Sequence, residues 1–340
     1  MDWFEQLTGF PETDYDSTRS QLAVEGNRLR SLVNGKSYRI GDLEVVSLHA
    51  LRERAQSAGV PSGRLKVSVV TGDVRALKQR LEYAGALFQV ASQFNMLEMT
   101  GPDVTPEHGV TRYQDDHTQG PACAIAAGAA TIYRNYFAQT VGGCGQTRDR
   151  QLDGLADLGE ALSVAAGRPV GELWQMQNGY ALCTADGLKA IAEHLGSSSP
   201  QQVDDLRGKL RIGLHRDVEV TEAVGEGRPL VSQAFCSALP VAYSAVPLPL
   251  WEPFASLVLE AAYEATLWSA ALNAHRGTSN IVLLTLLGGG AFGNDDKWIY
   301  GAIGRALGVC AGVDLDVRIV SYRTPPQELV RLASGLSSEG

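Results

Sequence analysis

The chain has 340 residues, 44% hydrophobic and 20% charged, with a formal net charge of −9. That length buries a substantial core in one elaborated domain or two ordinary ones, and the negative balance argues against broad docking on nucleic acid or an anionic membrane. MDWFEQLTGF lacks a basic-then-apolar targeting pattern and no apolar run approaches the roughly 20 residues of a membrane span, so a soluble, cytoplasmic protein is expected.

Residues 1 to about 63 read as an extension packed on the main domain. SQLAVEGNRLRSLV reads as a short helix, and the run from Ser37 reads as a small strand pair followed by a helix. From Arg64 the pattern becomes alternating strand and helix. RLKVSVVTGDV is a strand that stops at Thr71-Gly72-Asp73, VRALKQRLEYAG a helix ended by Gly85, and ALFQVASQFNMLEM a buried strand that turns polar at Gln93, Asn95 and Glu98. Polar residues at the C-terminal ends of strands mark where open α/β sheets bind ligands, which puts Asp73 and Asn95 on one sheet edge.

Thr100 to Gly120 is a loop of about twenty residues without periodicity, and loops that long inside a compact domain are usually functional or disordered. It carries Glu107, Asp115, Asp116 and His117, and Gln119-Gly120-Pro121 leads into a small-residue helix whose N-terminus offers an anion site. The stretch from 145 to 230 is harder to read. It holds a helix ending GGCGQTRDRQLDGLADLGEAL, a strand or turn in ELWQMQNGYALC, a helix after Thr184-Ala185-Asp186, and a strand RIGLHRDVEVTEA. VSQAFCSALPVAYS is a further strand, followed by a long apolar helix from Leu250. DLDVRIVSYRTPP is the last strand, with Tyr322 at its end, and the polar tail 326–340 is expected to fray.

Between that helix and that last strand lies IVLLTLLGGGAFG, Ile281 to Gly293. It reads as a buried strand running into Gly288, Gly289 and Gly290, with a helix opened by Asp295 and Asp296 behind it. Strand, glycine loop and helix N-terminus together present N–H groups to a phosphate, while a tight turn is the plainer reading of the same glycines. The letters match the dinucleotide fingerprint, but too few residues follow for the repeats of that fold, and no Gly-Lys-Ser/Thr is present for a nucleotide triphosphatase. The five cysteines, Cys123, Cys144, Cys183, Cys236 and Cys310, have no CxxC pair and read as reduced thiols, and the histidines never fall at ligand spacing, so neither a metal nor a cofactor is expected.

Taken in order, VVTGDV, FQVASQFN, TQGPACAIAAG, LLGGGAFGN and IVSY resemble the segments that form the ligand site of the macrodomain superfamily, which includes the poly(ADP-ribose) glycohydrolases. The resemblance covers about 64 to 325 and implies a macrodomain-like three-layer α/β/α fold with a mixed central sheet, with an insertion at about 145–230. It implies ADP-ribose binding, with Asp73 on the adenine amino group, Asn95 on the distal ribose, Gln119 and Gly120 in a first phosphate loop, and Gly288, Gly289, Gly290, Ala291, Phe292 and Gly293 in a second. Tyr322 takes the place of an aromatic residue stacked on adenine. The glycohydrolases carry a triple glycine and then Gln-Glu-Glu in their catalytic segment, and this chain has neither there.

If the ligand is hydrolysed, a carboxyl group is needed near the anomeric carbon, and the candidates are Glu98, Asp115 and Asp116. Adjacent aspartates repel one another, so one of the pair takes a raised pKa and serves as an acid, whereas the plainer reading is a solvated loop dyad. The partners implied are ADP-ribose, an ADP-ribosylated protein or a small molecule, with neither nucleic acid nor membrane. Three functions stay open at this point: an ADP-ribosyl glycohydrolase, a reader of ADP-ribose without turnover, and a metabolic enzyme acting on another NAD-derived nucleotide.

Overall fold

The computed structural model describes residues 1–225 and 227–338. A seven-stranded mixed sheet forms its centre: β1 (Asp42–Ser47), β2 (Lys66–Thr71), β3 (Leu87–Ala91), β4 (Arg211–Glu219), β5 (Leu230–Cys236), β6 (Ile281–Leu284) and β7 (Asp316–Ser321). Their order across the sheet is β1-β4-β5-β3-β6-β7-β2. Strands β5, β3, β6, β7 and β2 run parallel, and β4 is antiparallel to both β5 and β1. The C-terminal ends of five parallel strands therefore meet along one edge, the position at which open α/β sheets hold ligands.

Alternation along the strands splits the apolar residues between two faces. Leu87, Cys236, Val282 and Ile319 join one core with α1 (Leu48–Ala58) and, among others, three residues of the later helices, Leu206, Val258 and Ile303. Phe88, Val90, Phe235 and Leu283 face the other way, against Leu77, Cys123, Ala126 and Ala130. These last residues lie on α2 (Val74–Lys78), α3 (Gln119–Ala126) and α4 (Gly128–Tyr136). The first face is covered by α5 (Ala156–Ala166), α6 (Ala185–Ser197), α7 (Pro200–Lys209), α8 (Leu248–His275) and α9 (Asp296–Val309), and α10 (Gln327–Ser338) closes the β2 edge. The three-layer α/β/α architecture expected from the sequence is the one found.

Several local expectations are corrected. SQLAVEGNRLRSLV is a hairpin, Leu22–Glu25 paired with Arg28–Ser31, because Gly26-Asn27 closes a two-residue turn with Gly26 at φ +60°. The strand pair after Ser37 is no pair: Ser37–Arg39 joins that hairpin, whereas β1 is the edge strand of the main sheet and α1 packs on its large core. The main sheet thus starts at residue 42, inside the segment read as an extension. It also runs through the 145–230 segment, which supplies β4. The helix after Asp73 stops at Lys78, and the strand after Asn280 stops at Leu284. The tail is helical to Ser338, held by buried Leu329 and Ala333. Helix α7 was legible from Ser199-Pro200 and Gln202, which form a capping box with proline in the first turn.

Four helices are tied together by one charge cluster. Glu264 of α8 is fully buried and accepts from Arg52 of α1 at 2.6 Å and from Arg305 of α9 at 2.6 Å, while both arginines also bind Asp204 of α7 at 2.7 and 3.0 Å. Burial pushes the Glu264 carboxyl up, but the two guanidiniums outweigh it and hold it below the usual carboxylate range. Removing one partner of such a buried network leaves uncompensated charge and costs about 3–5 kcal/mol. Glu264→Gln is expected to lose about that much in urea denaturation at pH 7. Because the folded-state pKa is depressed, the difference from wild type narrows as pH falls through the folded-state value.

Candidate functional site

Strands β3 and β6 pair only at Val282 with Leu87 and Leu283 with Phe88, and then part. Two glutamine side chains fill the fork. Gln119, in the first turn of α3, accepts from the Ala91 amide at 2.9 Å and donates to the Gln89 carbonyl at 3.0 Å, taking the hydrogen bonds a neighbouring strand would take. Gln89 in turn accepts from the Thr285 amide at 3.2 Å. Above this fork a cleft of two joined chambers opens along the sheet edge, sharing Asp116, Thr118, Gln119, Thr285, Leu286 and Gly290.

The narrower chamber is bordered by Gln93, Glu98, Gly120, Tyr180, Tyr243 and Phe292. The wider one is bordered by Asp73, Arg75, His117, Gly289, Tyr322 and Arg323. Two backbone loops meet at the junction. At Gly120 a Cβ would lie 2.1 Å from the Ala91 carbonyl oxygen and 3.3 Å from Glu98 Cγ, so only glycine lets α3 come this close. Pro121 has no N–H and the Ala122 amide donates to Thr118 at 3.2 Å, which leaves Gly120 as the donor of the Gly120 to Ala122 stretch. In the second loop Gly288 sits at φ +76°, and a Cβ there would meet the Ala238 side chain at 2.5 Å. Gly289 and Gly293 donate within that loop, leaving the Gly290, Ala291 and Phe292 amides without an internal acceptor among the described residues.

The carboxylates differ in setting. Glu98 is 1% exposed and held through both oxygens by Arg134, at 3.1 and 3.3 Å, and its own amide donates to the Tyr113 hydroxyl at 3.2 Å. Arg134 is anchored on the Met96 carbonyl at 3.0 Å and lies over the Phe235 ring. Burial pushes the Glu98 carboxyl up to about 7 against the opposing pull of Arg134. Asp116 is partly exposed, borders both chambers, and accepts from the Thr118 amide at 2.8 Å. Asp115 is exposed at the end of a 3-10 turn and borders neither chamber. Asn95 is fully buried beneath the site, bonded to the Leu97 amide at 3.1 Å and Gln151 at 2.9 Å. Asp73 caps α2, accepting from the Arg75 amide at 2.8 Å, and Tyr322 is 73% exposed at the wide end.

Several wall residues were given no role from the sequence. Gln93 accepts from the Met99 amide at 2.7 Å and donates to its carbonyl at 3.2 Å, locking the loop that carries Glu98. Tyr180 comes from the hairpin Trp174–Gln177 with Tyr180–Cys183, whose Asn178-Gly179 turn was a usable signal, and Tyr243 from a short turn after β5. Their rings and that of Phe292 form a corner with centroids 5.3 to 5.7 Å apart. Arg134 carried no such signal. Among the described residues no group of three or more His, Cys, Asp or Glu side chains is placed to hold a metal, and no helix is long and apolar enough to cross a membrane.

No family model and no curated protein matches the chain. Among solved structures it is similar to poly(ADP-ribose) glycohydrolase from Deinococcus radiodurans in complex with ADP-ribose, with TM-score 0.47 and 13% identity over 87% of this chain and 94% of that one. It is similar also to poly(ADP-ribose) glycohydrolase from Thermomonospora curvata bound to the inhibitor ADP-HPD, with TM-score 0.41 and 14% identity over 92% of this chain and 94% of that one. The likeness lies in the path of the chain, with little identity in sequence.

Proposed function

We propose that the cleft binds ADP-ribose and that the protein hydrolyses an ADP-ribosyl linkage. One observation carries this reading: a single cleft runs from a buried carboxylate, past two backbone loops, to Asp73 and an exposed tyrosine. A diphosphate fits the junction, where the Gly120 amide and the Gly290 to Phe292 amides supply donors without bringing charge. Adenine lies in the wide chamber between Asp73 and Tyr322, whose exposed ring offers a stacking face. The distal ribose then enters the narrow chamber beside Glu98 and Asp116, while Asp115, outside both chambers, is assigned no contact and Asn95 acts from below by holding the Glu98 loop.

In this arrangement Glu98 is the proton donor and Asp116 stabilises positive charge developing on the sugar. A reader that binds ADP-ribose without turnover is the second reading, favoured by the hold of Arg134 on both Glu98 oxygens. The two separate on incubation with ADP-ribosylated protein, which a reader leaves intact at any concentration.

Calorimetric titration with ADP-ribose is expected to give a micromolar Kd, and the absence of heat at millimolar ligand would sink both readings. Gly120→Ala pushes α3 off the sheet and is expected to weaken that binding by at least about tenfold. Asp73→Ala is expected to cost about tenfold for adenine-containing ligands and nothing for ribose 5-phosphate. As a general acid toward a leaving group that must take up a proton to depart, Glu98 works while protonated, so kcat falls as pH rises through about 7. Glu98→Gln is expected to lower kcat by about 10²- to 10⁴-fold and to abolish that inflection.

A further inference from the structure

The narrow chamber has a composition that an ADP-ribose molecule alone does not use. Three aromatic rings from three separate segments converge there: Tyr180, which is buried, Tyr243, 39% exposed, and Phe292 between them. The Ala242 amide donates to the Phe292 carbonyl at 3.0 Å, so the turn bearing Tyr243 and the glycine loop bearing Phe292 are fixed to each other. Tyr180 is fixed by its hydroxyl, which donates to the Met99 carbonyl at 2.7 Å. The same chamber is bordered by two carboxylates, Glu98 and Asp116, and by no lysine, arginine or histidine among the described residues. Arg134 stands behind Glu98 and neutralises it in part, leaving Asp116 as the uncompensated charge.

Aromatic faces with carboxylates and no competing cation are the surroundings that select a flat, positively charged ring. Resting on the reading of the cleft as an ADP-ribose site, we infer that the group attached to the distal ribose is a pyridinium ring, so that the substrate is an oxidised pyridine dinucleotide. The reaction is then hydrolysis of the glycosidic C–N bond. The bonding pair leaves with the ring nitrogen, which becomes a neutral pyridine carboxamide without needing a proton. Water forms the new C–O bond, and its proton passes to a carboxylate and on to solvent. Water is the only co-reactant, and nothing is oxidised or reduced. Glu98 here works as the carboxylate, so the pH dependence has the opposite sign to that of a leaving group that must be protonated: kcat rises as pH passes through about 7.

The test compares NAD+, NADH and ADP-ribose by calorimetry on the full chain, with Glu98→Gln, which removes the proton acceptor and keeps Asp116, used to block turnover of NAD+ where needed and nicotinamide release followed separately on the wild type. The three ligands share the adenosine, diphosphate and distal ribose and differ in whether the ring is cationic, uncharged or missing. NAD+ is expected to bind about tenfold tighter than the other two, the scale of one desolvated cation–π contact. Tyr243→Ala is expected to bring NAD+ down to the affinity of ADP-ribose, whereas Tyr243→Phe, which keeps the ring, keeps the preference. Thermal melting of both variants checks that they fold. Equal affinity for all three ligands, or no release of nicotinamide by the wild type, overturns the inference and leaves ADP-ribose binding standing. Failure of all three to bind overturns both.

Discussion

The fork between β3 and β6 is the feature on which the site depends. Parallel strands that separate expose backbone donors and acceptors, and buried backbone polar groups must find partners. Gln119 meets that demand by placing its amide against Ala91 and Gln89, and Gln89 meets it for Thr285. The same contacts draw the first turn of α3 down to the sheet edge, where only glycine is tolerated at position 120. Opening the sheet, satisfying its edge and placing the loop that faces the cleft are thus one event.

Around that fork the protein holds the cleft loops with side-chain amides. Gln93 grips both backbone groups of Met99, and Asn95 caps Leu97. Gln146 binds the Asn95 and Arg134 carbonyls at 3.1 and 3.0 Å. Amides suit this task because they donate and accept at once without bringing charge into a buried region. Ionisable groups enter this region at the Glu98 and Arg134 pair, where a carboxyl with a near-neutral pKa borders the narrow chamber, and at buried Lys78, which donates to the Cys123 carbonyl at 3.3 Å and to Gln233. On the other face of the sheet, the Glu264 cluster joins four helices, while the cleft side carries the pair of Glu98 with Arg134 and that of Arg75 with Glu222.

The strand and glycine loop at 281–290, the caps at Thr184 and Asp295 and the helix beginning at Gln119 are local properties, and the sequence alone determined them. It also determined which side chains are able to meet along one edge, because parallel strands place their C-terminal ends together whatever their order. The roles of those side chains were decided by tertiary structure. Asn95 and Glu98 look alike on paper, three positions apart in one polar stretch. In the fold Asn95 is spent on the backbone beneath the site, and Glu98 reaches the chamber through the space left at Gly120. Asp115 and Asp116 are adjacent, yet a 3-10 turn sends one to solvent and the other to the cleft. Tyr180 and Tyr243 lie far from the recognisable segments and Arg134 six residues beyond one of them, and no spacing rule brings them to Phe292 and Glu98. Periodicity is written within about a turn or a strand of chain, whereas a site wall is assembled from contacts that only the packed sheet and its helices create.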